Sequence, residues 1–397
     1  MKFLRNQLDT VKHHFEKGGK WERYFYAYEA FDTFLFSPNT TTDPKGAQIR
    51  DAIDLKRLMI TVIISMTPCL IFGMWNVGHQ HFLATGQTGT FGDEIFLGLI
   101  KTVPIIIVSY GVGLGIEFIF ATMRRHPVNE GYLVTGMLIP LVMPPDIPLW
   151  QVAVATAFAV VIGKEAFGGT GMNVVNIALT ARAFLYFAYP SQISGEVWTV
   201  LGEGSKTVAG YSGATPLAIA ASSTTDAVTD LTTFGAGWAT DIYSAWNLFL
   251  GVIPGSIGET STLMCLIGAF ILIATGVGSW KIIVSVFAGA WGMGLFLNAV
   301  GTSPFTQLPA HYHLIMGGMA FGAVFMATDP VTAAHTETGK WFYGLLIGMF
   351  TVLIRVFNPA YPEGIMLAIL LMNVFAPLID YFVVSANKKR RIQRATV

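Results

Sequence analysis

Apolar runs of roughly 18–25 residues recur along this chain, the length a helix needs to cross about 30 Å of hydrocarbon. Lipid offers no water to backbone N–H and C=O groups, so runs of this kind must be helical. Composition agrees: 53% of the 397 residues are apolar and 12% are charged, where a soluble domain carries about 25% charged residues. A water-soluble all-α protein is therefore disfavoured, and the expected class is an all-α polytopic membrane protein.

Ten spans are read, at roughly 57–78, 95–122, 131–145, 149–164, 174–190, 262–278, 280–299, 312–328, 341–356 and 363–384. The stretch 242–258 is an eleventh candidate, interrupted at Ile253-Pro254-Gly255-Ser256 and followed by Gly258. Charge decides its status. Ten Lys/Arg lie in the first 57 residues and five in the last ten. If 242–258 is re-entrant or interfacial, both basic ends face the cytoplasm, as the positive-inside rule prefers. Arg124, Arg125, Lys164, Lys281 and Lys340 then fall at cytoplasmic turns and Lys206 in an outer loop, while Lys101, Arg182 and Arg355 lie within spans. Residues 1–57 are polar and too long for the n-region of a signal peptide.

The expected organisation is a cytoplasmic arm (1–56), five spans (57–190), a long outer segment (191–261), five more spans (262–384) and a basic cytoplasmic tail (385–397). The outer segment is rich in Ser, Thr, Gly and Ala and cannot form a packed core alone. Two halves of five spans point to duplication. The third span runs into Met143-Pro144-Pro145-Asp146 and the eighth into Thr328-Asp329-Pro330; Asn176 in the fifth matches Asn373 in the tenth, at an offset near 190 residues. An odd number of spans per half makes the repeats inverted, with small-molecule or ion sites expected between them on broken helices.

Ionisable groups inside spans are costly and mark pathways. Glu117 lies one turn from the inner end of span two and reads as a side chain reaching water. Glu130 opens span three, where a carboxylate also suits a helix start; Asp329 ends span eight; Asp380 lies inside the last span among apolar neighbours. Arg182, among Ala, Leu and Phe, requires a buried anion, either a carboxylate or the polar edge of a ligand. The turn Gly168-Gly169-Thr170-Gly171-Met172-Asn173 opens span five, and its glycines let a backbone approach a ligand closely. Cys69 and Cys265 read as small hydrophobes, and two cysteines are too few for an iron–sulfur cluster. Rossmann and Walker A motifs are missing, and nothing points to nucleic acid.

Ser212-Gly213-Ala214-Thr215 resembles the flavin-transfer motif of sodium-translocating NADH:quinone oxidoreductases and the related Rnf complexes. The resemblance extends over nearly the whole chain. Glu16-Lys17-Gly18-Gly19, Val128-Asn129-Glu130-Gly131, the run Lys164 to Gly171, Arg182-Ala183-Phe184, Phe325 to Pro330 and Asn373 to Asp380 look like the B-type membrane subunit of the sodium-pumping enzymes, in the family's order. One departure is Ala209, where the family's motif usually has Asp six residues before the acceptor Thr.

The resemblance implies a urea-transporter-like fold of ten helices in two inverted five-helix repeats. It implies FMN joined to Thr215 through a phosphoester by a periplasmic flavin transferase, with Ser212, Gly213 and Ala214 as the rest of the motif. It also implies a non-covalent riboflavin, ubiquinone as electron acceptor and export of sodium ions. Arg182, Gly168, Gly169 and Asn173 are candidate cofactor contacts; Gly131 and Gly136, a small-residue face near the cytoplasmic surface, are candidates for the quinone; Glu29, Glu130, Asp329 and Asp380 are candidates for sodium. The expected setting is a six-subunit complex of the bacterial inner membrane, with NADH and the iron–sulfur centres on other subunits. An Rnf-type ferredoxin:NAD pump subunit and a urea-transporter-like channel are the alternatives.

Overall fold

A computed structural model describes residues 2–36, 55–128, 131–201, 211–235, 241–358 and 361–395, and every regular element among them is helical. The arm forms α1 (Lys2–Phe15) and α2 (Phe25–Leu35). Arg5 pairs with Asp32 at 2.7 Å and the Tyr28 hydroxyl donates to the Leu8 carbonyl, so the two helices fold on each other. Phe31 stacks on Phe118 with ring centres 5.7 Å apart, tying the arm to the bundle.

Among the described residues, six helices are long and apolar enough to cross a membrane: α3 (Leu55–Thr85), α4 (Phe91–Arg124), α6 (Leu149–Gly163, continued by a 3-10 turn to Phe167), α12 (Trp280–Val300), α15 (Glu337–Phe357) and α16 (Ile365–Ala395). Three shorter apolar helices accompany them: α5 (Tyr132–Leu141), α7 (Ile177–Ala188) and α11 (Thr262–Ala274). Small residues set how closely they pack, since van der Waals contact is what holds helices together in lipid. A Cβ on Gly289 would overlap the Leu345 carbonyl oxygen and one on Gly348 that of Val286, so α12 and α15 touch backbone to backbone. Cys69 of α3 and Cys265 of α11 are free, buried thiols with their sulfurs 3.8 Å apart.

Two expected spans differ from plain helices. Span eight, read at 312–328, is broken into α13 (Tyr312–Ile315), α14 (Met319–Phe321) and a π turn (Gly322–Met326). The break is stabilised from outside. Fully buried Arg355 donates to the carbonyls of His313 (2.6 Å), Met316 (2.9 Å) and Glu363 (2.8 Å), which satisfies backbone acceptors that a helix would have satisfied itself. Span three ends as a helix at Leu141, and an irregular stretch docks on it: Gly258 donates to the Leu141 carbonyl at 2.7 Å and Ile257 to that of Met143 at 3.2 Å. That stretch belongs to the interrupted segment 242–258, which contains only the six-residue α10 (Ala245–Leu250) and continues as buried non-helical backbone. Asn76 of α3 donates to its Ile253 carbonyl at 2.9 Å.

The outer segment carries α8 (Pro216–Ser222) and α9 (Ala227–Thr233). Its apolar side chains pack in a second core, where Leu217, Leu231, Tyr243 and Leu248 meet Phe305, Leu308 and Met316. The chain's basic end remains helical, since α16 runs through to Ala395.

Candidate functional site

Thr215 is the N-cap of α8. Pro216 supplies the preset φ of the first helical position, and the Thr215 hydroxyl oxygen accepts the Ala218 N–H at 3.3 Å. The preceding turn is held from three sides. Ser212 donates to Glu196 Oε1 at 2.7 Å, the Tyr243 hydroxyl donates to the Ala214 carbonyl at 2.6 Å, and Tyr211 shares a hydrogen with Thr199 at 2.8 Å. Burial pushes the phenols of Tyr211 and Tyr243 up, which keeps both neutral. A Cβ on Gly213 would press on the Glu196 carbonyl at 3.3 Å.

Thr215 is half-buried and lines a cavity of about 470 Å³ together with Arg182, Tyr186, Trp198, Glu259, Tyr361 and Glu363. Arg182 finds two anions there. Its Nη1 donates to Glu259 Oε1 (2.7 Å) and Oε2 (2.6 Å), and its Nη2 to Glu363 Oε2 at 2.5 Å. Ser256 donates to Glu259 Oε2 at 2.7 Å and Tyr361 to Glu363 Oε2 at 3.1 Å. The sequence calls for an anion beside Arg182 but singles out neither carboxylate. Glu259 lies between the interrupted segment and span six and Glu363 opens span ten, and no local pattern ties either of them to Arg182.

A second, smaller cavity of about 100 Å³ lies at the opposite end of the bundle and is lined by Gly131, Lys164, Thr170, Asn173, Asn176 and Asp329, among others. Asp329 accepts the Val331 N–H, the Thr332 hydroxyl (both 3.1 Å) and Asn176 Nδ2 at 3.4 Å. Asn176 caps α7 through the Leu179 N–H. With the Asn373 amide in its better-bonded orientation, its oxygen accepts the Asn176 N–H at 3.0 Å, so the two asparagines matched between the halves meet.

The matching family, described as NQR2, RnfD, RnfE, covers residues 43–389. The chain belongs to this family. Among its relatives is the B-type subunit of the Na(+)-translocating NADH-quinone reductase of Ectopseudomonas mendocina, 47% identical over 417 residues that span 98% of this chain and 99% of the relative. Proteins of the same name from Chromohalobacter salexigens (48% identical, 98% of this chain, 96% of the relative) and Azotobacter vinelandii (46%, 98% and 99%) are similarly related.

Within this NQR2, RnfD, RnfE family member, the remaining candidates separate. Gly168 and Gly169 adopt φ +119° and +101°, a backbone that favours glycine, and line a pocket of about 170 Å³ with Glu117, His126 and Glu165. They share no cavity with Thr215. At Gly136 a Cβ would stand 2.7 Å from the Tyr110 ring and 3.1 Å from the Tyr132 ring, so the glycine lies directly against both aromatic side chains. Gly131 does border open space. Glu117 is a correction. In place of reaching water it is buried and hydrogen-bonded to Lys164, itself buried at the end of α6. Asp380 accepts the N–H groups of His335 (2.7 Å) and Thr336 (3.0 Å) and the Thr336 hydroxyl (2.5 Å), at the start of α15. Glu29 is half-buried on α2; Glu130 and Ala209 lie outside the described residues.

Proposed function

We propose that this chain is the flavin-bearing membrane subunit of a complex that passes electrons from NADH to ubiquinone and exports sodium. The observation that carries this reading is Thr215, last residue of Ser212-Gly213-Ala214-Thr215, standing on the rim of a large cavity. Gly213 and Ala214 before it are small, the residue is half-buried, and aromatic walls from Tyr186, Trp198 and Tyr361 suit a flat ring. These features fit FMN joined through its phosphate to the Thr215 oxygen. The flavin would supply acceptance of two electrons and their release one at a time. The protein would supply the tether, the apolar walls and the buried charges of Arg182, Glu259 and Glu363.

Full-length relatives named for sodium-translocating NADH-quinone reductase support this reading over an Rnf pump or a channel. By the same resemblance we propose a non-covalent riboflavin in the subunit, with Gly168, Gly169 and Asn173 as candidate contacts. The quinone is assigned near Gly131 and Gly136, and sodium handling to Glu29, Glu130, Asp329 and Asp380. The partners are the other members of a six-subunit complex in the bacterial inner membrane and an external flavin transferase. The proposed architecture keeps ten membrane segments in two inverted repeats with both termini cytoplasmic. The meeting of Asn176 with Asn373 and of Cys69 with Cys265 supports it, because equivalent positions of two repeats approach each other near a common axis.

The direct test is Thr215→Leu. In-gel fluorescence of the denatured subunit should disappear while the chain still inserts. Fluorescence that survives the substitution removes Thr215 as the acceptor.

A further inference from the structure

Two carboxylates, Glu259 and Glu363, share the single guanidinium of Arg182 on the wall of the cavity that Thr215 lines. We propose that Glu259, held beside Glu363, takes up the proton that compensates charge entering the flavin cavity, with Arg182 as the residue that positions both carboxylates. The inference rests on the assignment of FMN to Thr215 and adds to it a group that couples reduction to protonation.

Hydrogen bonds to one guanidinium bring the two carboxylates together. Arg182 and Glu259 are buried, and Glu363 is largely so. A Cβ on Gly318 would stand 2.7 Å from Glu259 Oε1 and 2.9 Å from Glu363 Oε1, so both carboxylates close on one small space kept free by a glycine. Two like charges held this near each other cannot both ionise without cost. Direct contact with one guanidinium offsets one of them.

Other charged and titratable groups lie around the pair, among them the Tyr186 phenol of α7, whose ring packs on Tyr361 at 4.4 Å. Arg355, packed from α15, spends its donors on the carbonyls of His313, Met316 and Glu363 and remains a fixed cation. The Tyr361 hydroxyl donates to Glu363, and the Cys265 thiol of α11 lies within electrostatic reach of Glu259. Burial raises the Tyr361 phenol, which stays neutral, and a thiol is ordinarily protonated at neutral pH. Burial pushes Glu259 up to about 7, against the opposing pull of Arg182. Glu259 is therefore the group placed to change charge.

The step balances. An electron delivered from the NADH side places one negative charge in a buried space, where uncompensated charge is costly. One proton from water at the cavity mouth forms an O–H bond on the Glu259 carboxylate. When the electron leaves toward the acceptor, that bond breaks and the proton returns to water. One electron and one proton enter, and one of each departs.

The experiment is a spectroelectrochemical titration of the purified whole complex, following this subunit's covalent flavin from acid to alkaline pH. In the parent complex the midpoint potential should fall with pH above neutrality more steeply than in Glu259→Gln, which keeps the carbonyl but cannot gain a proton. Ser256→Ala removes the hydroxyl that donates to the Glu259 carboxylate, so the onset of the fall should move to higher pH with every charge still in place. Equal slopes in the parent and a flavin-loaded Glu259→Gln complex would overturn the inference. So would a potential that follows sodium concentration in place of pH. If Glu259→Gln fails to assemble, an unmoved onset in Ser256→Ala overturns it. A parent subunit with no covalent flavin in the gel sinks the Thr215 assignment and this inference together, whereas flavin with unchanged slopes sinks this inference alone.

Discussion

The Lys164 ammonium and the Glu117 carboxylate form an ion pair inside the bundle, their side chains only 2% and 4% exposed. The Tyr132 ring lies 5.9 Å from the ammonium. At the bundle end, Arg124 holds the neighbouring Glu165 through its carboxylate (3.0 Å) and its carbonyl (2.8 Å). Removing one member of a buried pair leaves an uncompensated charge, at a cost of about 3–5 kcal/mol. Glu117→Gln and Lys164→Met should therefore each lower the thermal stability of the detergent-solubilised subunit strongly. The double substitution should recover much of the loss, and fluorescence-detected thermal unfolding of the three variants measures it. A double variant no more stable than either single one would show that the pair is not the source of the effect.

Asp380 serves the first turn of α15 through three accepted hydrogen bonds. Asp380→Asn retains one acceptor oxygen and removes the charge, so the capping loss should stay near the ~1 kcal/mol typical of a helix cap. If the carboxylate also handles sodium, the sodium concentration for half-maximal quinone reduction rises while flavin content holds. An unchanged sodium response in an assembled Asp380→Asn complex assigns the residue to capping alone.

Gly131 and Gly136 should respond differently to a methyl group. At Gly136 the new Cβ meets two rings whose hydroxyls are bonded to the carbonyls of Leu133 and Ser109. Gly136→Ala should lower stability by roughly 1–3 kcal/mol, as overpacking does. At Gly131 it meets chiefly the methyl of Thr170 at 2.8 Å, so Gly131→Ala should assemble and shift the concentration of a quinone-site inhibitor needed for half-inhibition. Resistance substitutions found only on other subunits would argue against a quinone site here.

Reporter fusions test the proposed sidedness. A fusion after Val397 and one within 195–235 should report opposite sides of the membrane. Same-side results would mean that the chain crosses once more between them, with 242–258 as the obvious segment.

By itself the sequence determined that this chain is a helical membrane protein, which stretches are apolar, and that Thr215 is the residue to suspect. Those are local properties: run length sets whether backbone groups must be satisfied within a helix, and a four-residue motif is contiguous. Asn176 and Asn373, matched by spacing, do meet. What only the tertiary structure decided is where each buried charge finds its partner. Arg182 reaches Glu259 across 77 positions and Glu363 across 181; Glu117 reaches Lys164 across 47. No periodicity encodes such pairings. Span eight shows the same division. Being short and ended by Pro330, it reads as a candidate broken helix, yet the place of the break is set by Arg355, some 40 residues away, which takes the carbonyls of His313 and Met316. An apolar run shows that a segment belongs in lipid. Whether it stays helical there depends on which distant donors arrive to satisfy its backbone, and that is settled by packing.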